Sequence, residues 1–118
     1  MKIRIRNNSL RYRLTRSEVA ILADEGTLVD KVSFAEQTLV YAIKRSNEEQ
    51  LSASFKNNTV TLFIPEQMVK EFIDTDRVGF EHHDGPLHLL VEKDFTCLDN
   101  VAEDQSDNYP NPLAAKSI

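Results

Sequence analysis

Asn7-Asn8-Ser9-Leu10-Arg11-Tyr12-Arg13-Leu14 and Asn57-Asn58-Thr59-Val60-Thr61-Leu62-Phe63-Ile64 are one pattern met twice, fifty residues apart. The correspondence continues downstream. Val19 falls on Val69, Leu22 on Phe72 and Ala23 on Ile73; after a short deletion Val32 and Phe34 fall on Val78 and Phe80, and Leu39 and Tyr41 on Leu89 and Val91. Two matching stretches are too few for a solenoid, so the expected organisation is an intrachain duplication of a ββαββ unit. The repeats run over about 1–46 and 51–95 of a domain spanning 1–98, and an acidic, extended C-terminal tail covers 99–118.

The first copy shows why these stretches read as strands. Ile3 and Ile5 alternate with Lys2, Arg4 and Arg6, and Leu10, Tyr12 and Leu14 alternate with Arg11 and Arg13. That period of two marks half-buried strands. Asn tolerates a positive φ, so Asn7-Asn8 suits a two-residue hairpin turn. Such a turn pairs Ile5 with Leu10 and Ile3 with Tyr12 on one face, and Arg4 with Arg11 and Lys2 with Arg13 on the other. About Asn57-Asn58 the same geometry pairs Phe55 with Val60, Ala53 with Leu62 and Leu51 with Ile64. Two further hairpins are expected about Glu36-Gln37, with Phe34 opposite Leu39 and Val32 opposite Tyr41, and about Asp84-Gly85, with Phe80 opposite Leu89 and Val78 opposite Val91.

A helix separates the hairpins of each copy. Thr15-Arg-Ser-Glu18 has the spacing of a capping box, Val19, Leu22 and Ala23 form a stripe, and Gly26 supplies a left-handed stop. The second helix opens at Pro65-Glu66 and carries Met68, Val69, Phe72 and Ile73 at helical spacing, with Met68 and Phe72 as core residues. Eight strands exceed what one flat sheet covers comfortably. The expected fold is therefore α+β, an antiparallel eight-stranded barrel-like sheet with two helices. Which strand face lies inside is left open at this point.

The chain has 118 residues, 41% of them apolar and 28% charged, which fits one packed domain. No run approaches the roughly 18 apolar residues of a membrane helix, and Met1 to Ser9 alternates charge and aliphatic where a secretory signal needs an apolar stretch. The expected setting is cytoplasmic, with no membrane partner. The single cysteine, Cys97, has no second thiol for a disulfide or a Cys-x-x-Cys site, and its acidic surroundings favour a structural thiol over a reactive one.

The net charge of −5 conceals a polarity. Lys2, Arg4, Arg6, Arg11, Arg13 and Arg16 precede any acid, whereas Asp94, Asp99, Glu103, Asp104 and Asp107 crowd the end against Lys116 alone. Directly opposed like charges such as Arg4 and Arg11 cost stability unless something balances them. Lys2, Arg4, Arg6, Arg11 and Arg13 are thus the candidate anion-binding set, since a guanidinium engages phosphate or carboxylate through a planar fork of donors. Three readings stand side by side: the cations fan into water, the chain's own acidic tail covers them, or an external phosphate-containing or carboxylate ligand binds them. The acidic balance and the lack of stacking aromatics on this face argue against a general nucleic-acid binder.

His82 and His83 adjoin the Asp84-Gly85 turn and His88 follows it. Neighbouring residues of a strand face opposite ways, so only His83 and His88 can converge, with Glu81 and Glu92 as neighbours. Histidines by a turn are usually surface residues, so no metal and no cofactor is assigned. No Gly-x-Ser-x-Gly elbow, phosphate-cradling glycine loop or His-Glu-x-x-His is present, and no catalytic residue is named. The expected role is a non-enzymatic binding or interaction module.

Two resemblances add to this reading. Met1-Lys-Ile-Arg-Ile5 with Ser9-Leu-Arg-Tyr-Arg-Leu-Thr-Arg-Ser-Glu-Val19, and Val91-Glu-Lys-Asp-Phe95 with Cys97-Leu98, Glu103-Asp104, Asp107 and Tyr109-Pro-Asn-Pro112, resemble an uncharacterised family of short bacterial proteins. The resemblance implies a bacterial, cytoplasmic setting and no known activity. The architecture of two related halves is similar to that of the triphosphate tunnel (CYTH-like) enzymes, which implies, as an alternative, a phosphate-ester or triphosphate-processing enzyme with a basic tunnel. Their first strand carries a metal-holding Glu-x-Glu-x-Lys where this chain reads Lys2-Ile3-Arg4-Ile5-Arg6, so no metal ligands carry over.

Overall fold

The computed structural model describes residues 1–95. Its elements follow the order ββαββ twice: β1 (Lys2–Arg6), β2 (Ser9–Leu14), α1 (Arg16–Glu25), β3 (Thr27–Ser33), β4 (Thr38–Ser46), then β5 (Ser52–Lys56), β6 (Thr59–Pro65), α2 (Glu66–Asp74), β7 (Gly79–Asp84) and β8 (Leu87–Lys93).

The strands form two separate four-stranded sheets, ordered β1-β2-β8-β7 and β3-β4-β6-β5. The expected closed, antiparallel eight-stranded barrel is therefore wrong on both counts. Within each sheet two antiparallel hairpins lie side by side and meet through a parallel pair, β2 with β8 and β4 with β6. The parallel pairs have a simple cause. Both hairpins of a sheet turn at the same end, as the Asn8 Nδ2 bond to the Pro86 carbonyl at 2.7 Å and the His88 N–H bond to the Asn8 carbonyl at 3.0 Å require. The second strand of each hairpin then runs in the same direction, so two second strands placed together are parallel. Each sheet takes one hairpin from either half of the chain, because α1 carries the chain from the first sheet to the second and α2 carries it back.

Local chemistry accounts for the elements. The Asn-Asn hairpins have the expected registers: Arg4 faces Arg11, Lys2 faces Arg13, Phe55 faces Val60 and Ala53 faces Leu62. Positive φ values of 52° at Asn7, 53° at Asn57 and 60° at Asn58 make these turns possible. The other two hairpins differ from expectation by two residues. Val32 pairs with Leu39 and Asp30 with Tyr41, because the turn spans four residues and closes with a 2.9 Å bond from the Phe34 N–H to the Gln37 carbonyl. Phe80 pairs with Val91 and His82 with Leu89, because the turn centres on Gly85-Pro86 and not on Asp84-Gly85. A slip of two keeps every side chain on its own face.

Helix α1 has the full capping box: Thr15 N–H donates to Glu18 Oε1 at 2.9 Å and Glu18 N–H donates to Thr15 Oγ1 at 3.3 Å. The chain leaves the helix through Gly26 at φ 81°, and the Arg45 guanidinium from β4 donates to the Ala23 carbonyl, placing a cation at the negative end of the helix. The N-terminal ammonium of Met1 pairs with Glu18. Burial by itself would raise the Glu18 carboxyl, but the hydrogen bond from that ammonium, the Thr15 N–H and the ammonium's charge together hold it below the ordinary glutamate value.

The apolar faces of both sheets point inward. One buried cluster joins Tyr12, Leu14, Leu89 and Val91 of the first sheet, Ile43, Leu62 and Ile64 of the second, Val19 and Leu22 of α1, and Val69 and Phe72 of α2. The helices pack on one another; α1 also lies on β3 and β4, and α2 on β4 and β6. Tyr12 is fully buried and its hydroxyl donates to the Val60 carbonyl at 3.4 Å, tying one sheet to the other. Each fully buried Leu, Ile or Val contributes about 1.5–3 kcal/mol of transfer free energy. Ile73, at the edge of the helical stripe of α2, is 52% exposed. No described helix is long and apolar enough to cross a membrane.

Candidate functional site

The polar faces point outward, and the outward face of the first sheet holds nearly every residue singled out above. Alternation along β1 and β2 puts Lys2, Arg4, Arg6, Arg11 and Arg13 on this side, and the β2–β8 pairing brings residues from the other end of the chain beside them. Across the sheet the rows read Lys2, Arg13, Glu92, Gly79; then Arg4, Arg11, Leu90, Glu81; then Arg6, Ser9, His88, His83. The arginine set and the histidine set are one surface. The described strands form no closed barrel around it, so the enclosed basic tunnel implied by the barrel analogy does not form.

Part of the charge is balanced from within. Glu92 Oε1 lies 3.4 Å from Arg11 Nε and 3.6 Å from Arg13 Nε, and Asp94 Oδ2 lies 3.1 Å from Lys2 Nζ. Gly79 leaves room for this arrangement. A Cβ built there would stand 2.9 Å from Glu92 Cγ and 2.9 Å from the Val91 carbonyl oxygen, so the strand crossing tolerates only a hydrogen atom at that point. Among the described residues, Arg4 and Arg6 have no carboxylate partner and both are exposed. They are the cations with most to offer an incoming anion.

The histidines converge as alternation requires. His83 and His88 stack with ring centroids 4.2 Å apart and planes within 8°. His88 Nε2 lies 2.8 Å from Glu81 Oε2, whereas Glu92 has turned to the arginines. No group of three or more His, Cys, Asp or Glu among the described residues is arranged to hold a metal ion. Ser9 stands beside His88 in register, yet its hydroxyl donates to the Arg6 carbonyl at 2.6 Å, so its proton is committed to the backbone and not to the imidazole. Cys97 and the acidic segment 99–118 lie outside the described residues.

A counter-charge role for Glu92 and Asp94 toward the hairpin could not be read locally. It depends on β8 lying beside β2, and no turn or short motif announces a parallel neighbour from the far end of a chain. The acidic residues at the end of the last strand were the one available signal.

A family model matches residues 1–113, which takes in both sheets, both helices and most of the acidic segment. The chain belongs to DUF7009, a family of unknown function. No curated protein and no solved structure matches it significantly. Membership in DUF7009 thus leaves the chemistry of the surface to be argued from the surface itself.

Proposed function

We propose that this chain is a binding module whose first sheet recognises an anionic group on its outward face, with Arg4 and Arg6 as the primary contacts and Lys2, Arg11 and Arg13 as supporting charge. The observation that carries this reading is the pair of exposed arginines on β1 that no described carboxylate neutralises, beside three further cations only partly offset by Glu92 and Asp94. Charge-assisted hydrogen bonds to such groups contribute about 1.5–3 kcal/mol each, which is enough for one arginine to change affinity tenfold or more. A phosphate-containing or carboxylate ligand suits the guanidinium fork. The bacterial, cytoplasmic setting and the origin of the two ββαββ halves by duplication belong to the same proposal.

Calorimetric titration with inorganic phosphate, triphosphate and a dicarboxylate tests it. Binding that weakens at least tenfold in Arg4→Ala/Arg6→Ala, and that falls with added salt, supports the reading. The absence of heat with every anion, in the full chain and in a chain ending at residue 98, rejects it.

The Glu81–His88 contact favours a second reading, in which the carboxylate-oriented imidazole takes a proton from a water that attacks the phosphorus of a bound phosphate ester, and the ester's alcohol leaves. Turnover of a phosphate ester with Mg²⁺ that disappears in His88→Gln would move the chain from binder to enzyme.

A further inference from the structure

The sheet orders leave four strands at an edge, β1 and β7 in one sheet and β3 and β5 in the other. An edge presents N–H and C=O groups to any strand that can match it. β1 differs from the other three in its side chains. Lys2, Arg4 and Arg6 set cations at successive positions of one face, whereas β3 and β5 carry one lysine each, Lys31 and Lys56, and β7 carries Glu81.

The main chain of β1 is oriented by its neighbours. The Asn8 and Leu14 carbonyls accept bonds from the N–H groups of His88 at 3.0 Å and Asp94 at 2.8 Å, on the β8 side. Even-numbered residues of β2 therefore turn their main-chain groups to β8, and Ser9, Arg11 and Arg13 turn theirs to β1. Their register partners Arg6, Arg4 and Lys2 bond to β2 in return, which leaves the N–H and C=O of Ile3 and Ile5 directed away from it. Among the described residues no strand pairs with β1 on that side. Ile5 is 64% exposed, on the face opposite the arginines.

We propose that β1 takes up an extended segment of a partner protein in which acidic residues alternate with aliphatic ones, added antiparallel as a fifth strand to the four of this sheet. The inference rests on the anion-binding reading and names its partner class. Side chains on one face of a strand recur every two residues, about 6.8 Å apart. A segment with an acid at every second position has the same repeat and sets one carboxylate beside each of Lys2, Arg4 and Arg6. Its aliphatic residues fall on the other face, over Ile5 and the half-buried Ile3. Opposite Ile3 and Ile5 these aliphatic residues exchange main-chain bonds. The acid between them then meets Arg4 at a non-hydrogen-bonded position, where Cα atoms approach to about 4.5 Å and side chains interact most closely. A small anion meets the guanidinium groups but leaves the open carbonyls unpaired, whereas a backbone satisfies both. Charge excludes a second copy, because β1 laid antiparallel on β1 opposes cation to cation along this face.

The test uses the full chain and labelled synthetic peptides read by fluorescence anisotropy, with calorimetry of triphosphate in parallel. The probe is Ser-Glu-Val-Glu-Val-Glu-Ser, acetylated and amidated at its ends. It should bind at least about tenfold more tightly than Ser-Glu-Glu-Glu-Val-Val-Ser, which has the same composition without the alternation. Methylating both valine nitrogens should remove binding, and methylating the central glutamate nitrogen, which faces solvent in this arrangement, should not. In Arg4→Glu/Arg6→Glu the preference should pass to Ser-Lys-Val-Lys-Val-Lys-Ser. The peptide arms alter no residue of the protein, so they decide the question even if that variant unfolds. Equal affinity for the alternating and rearranged peptides, or binding that survives methylation of the valines, overturns the strand addition. Triphosphate binding without peptide binding overturns the partner class and leaves the anion-binding reading standing; no binding of any anion or peptide removes both. Dimerisation that competes with the peptide would assign the edge to a second copy and overturn the proposal as well.

Discussion

Arg13 and Glu92 hold the same register position on adjacent parallel strands, and one oxygen of Glu92 serves both Arg13 at 3.6 Å and Arg11 at 3.4 Å. This carboxylate makes the opposed cations of the β1–β2 hairpin tolerable. It also competes with any external anion for two of the five basic groups.

Glu92→Gln separates these effects. All three side chains are partly exposed, so each ion pair contributes about 0.2–1 kcal/mol, and the variant should lose about 1 kcal/mol in urea denaturation. On the proposed function its affinity for triphosphate should rise severalfold in calorimetry. A loss of affinity would mean that Glu92 orients the arginines for binding.

Gly79→Ala is expected to disturb the same corner sterically. The new Cβ would meet the Val91 carbonyl oxygen, which is backbone and cannot swing away, as well as the Glu92 side chain. Overpacking of this kind costs about 1–3 kcal/mol. Equilibrium unfolding measures it, and a neutral result would show that β7 shifts freely against β8.

Glu18 gives a pH dependence of stability. Its carboxyl is held below the ordinary value in the folded chain, so its contribution is fully present above the unfolded value and is lost as pH falls through the lowered folded one. Glu18→Gln keeps a hydrogen-bond acceptor for the capping box and removes only the charge. Its melting temperature should lie below that of the parent near pH 7, and the gap should close as pH is taken below about 4.3, the ordinary glutamate value. Acetylation of the N-terminus should reproduce part of the effect. A gap that persists at low pH would place the stabilisation in packing.

Tyr12→Phe removes the hydroxyl that links the sheets. At 3.4 Å the bond is long, so the expected loss lies at the low end of the usual 0.5–1.5 kcal/mol. Tyr12→Ala, which also empties a fully buried site, should cost about 3–5 kcal/mol. Burial raises the tyrosine hydroxyl's pKa, so a spectrophotometric titration of the folded protein should show it ionising later than an exposed tyrosine.

The local parts of this fold were legible because local chemistry decides them. Asn7-Asn8 and Asn57-Asn58 set their registers, Thr15 with Glu18 and Gly26 bounded the first helix, and the alternation from Lys2 to Leu14 put five cations on one face. The barrel failed at a different level. Whether eight strands close or divide depends on which hairpins stand side by side, and pairs such as Ser9 with His88 or Val40 with Thr59 leave no periodic trace in either segment. The two displaced registers, at Phe34–Gln37 and Gly85-Pro86, came from turn residues that fit more than one loop length. The site followed suit: the arginines and the histidine pair were each visible, and their common surface was not.

The exchange of hairpins between sheets also bears on how the protein is made. On a ribosome adding about 5–20 residues each second, the β1–β2 hairpin emerges on the order of ten seconds before the strand that will flank it. Neither half of the chain can finish a sheet by itself, and the nascent hairpin waits with its ladder open along β2. Charged side chains along an unpaired strand disfavour the addition of other chains, and this ribbon carries five cations on one side. The charges that crowd this hairpin would thus guard its open edge during synthesis.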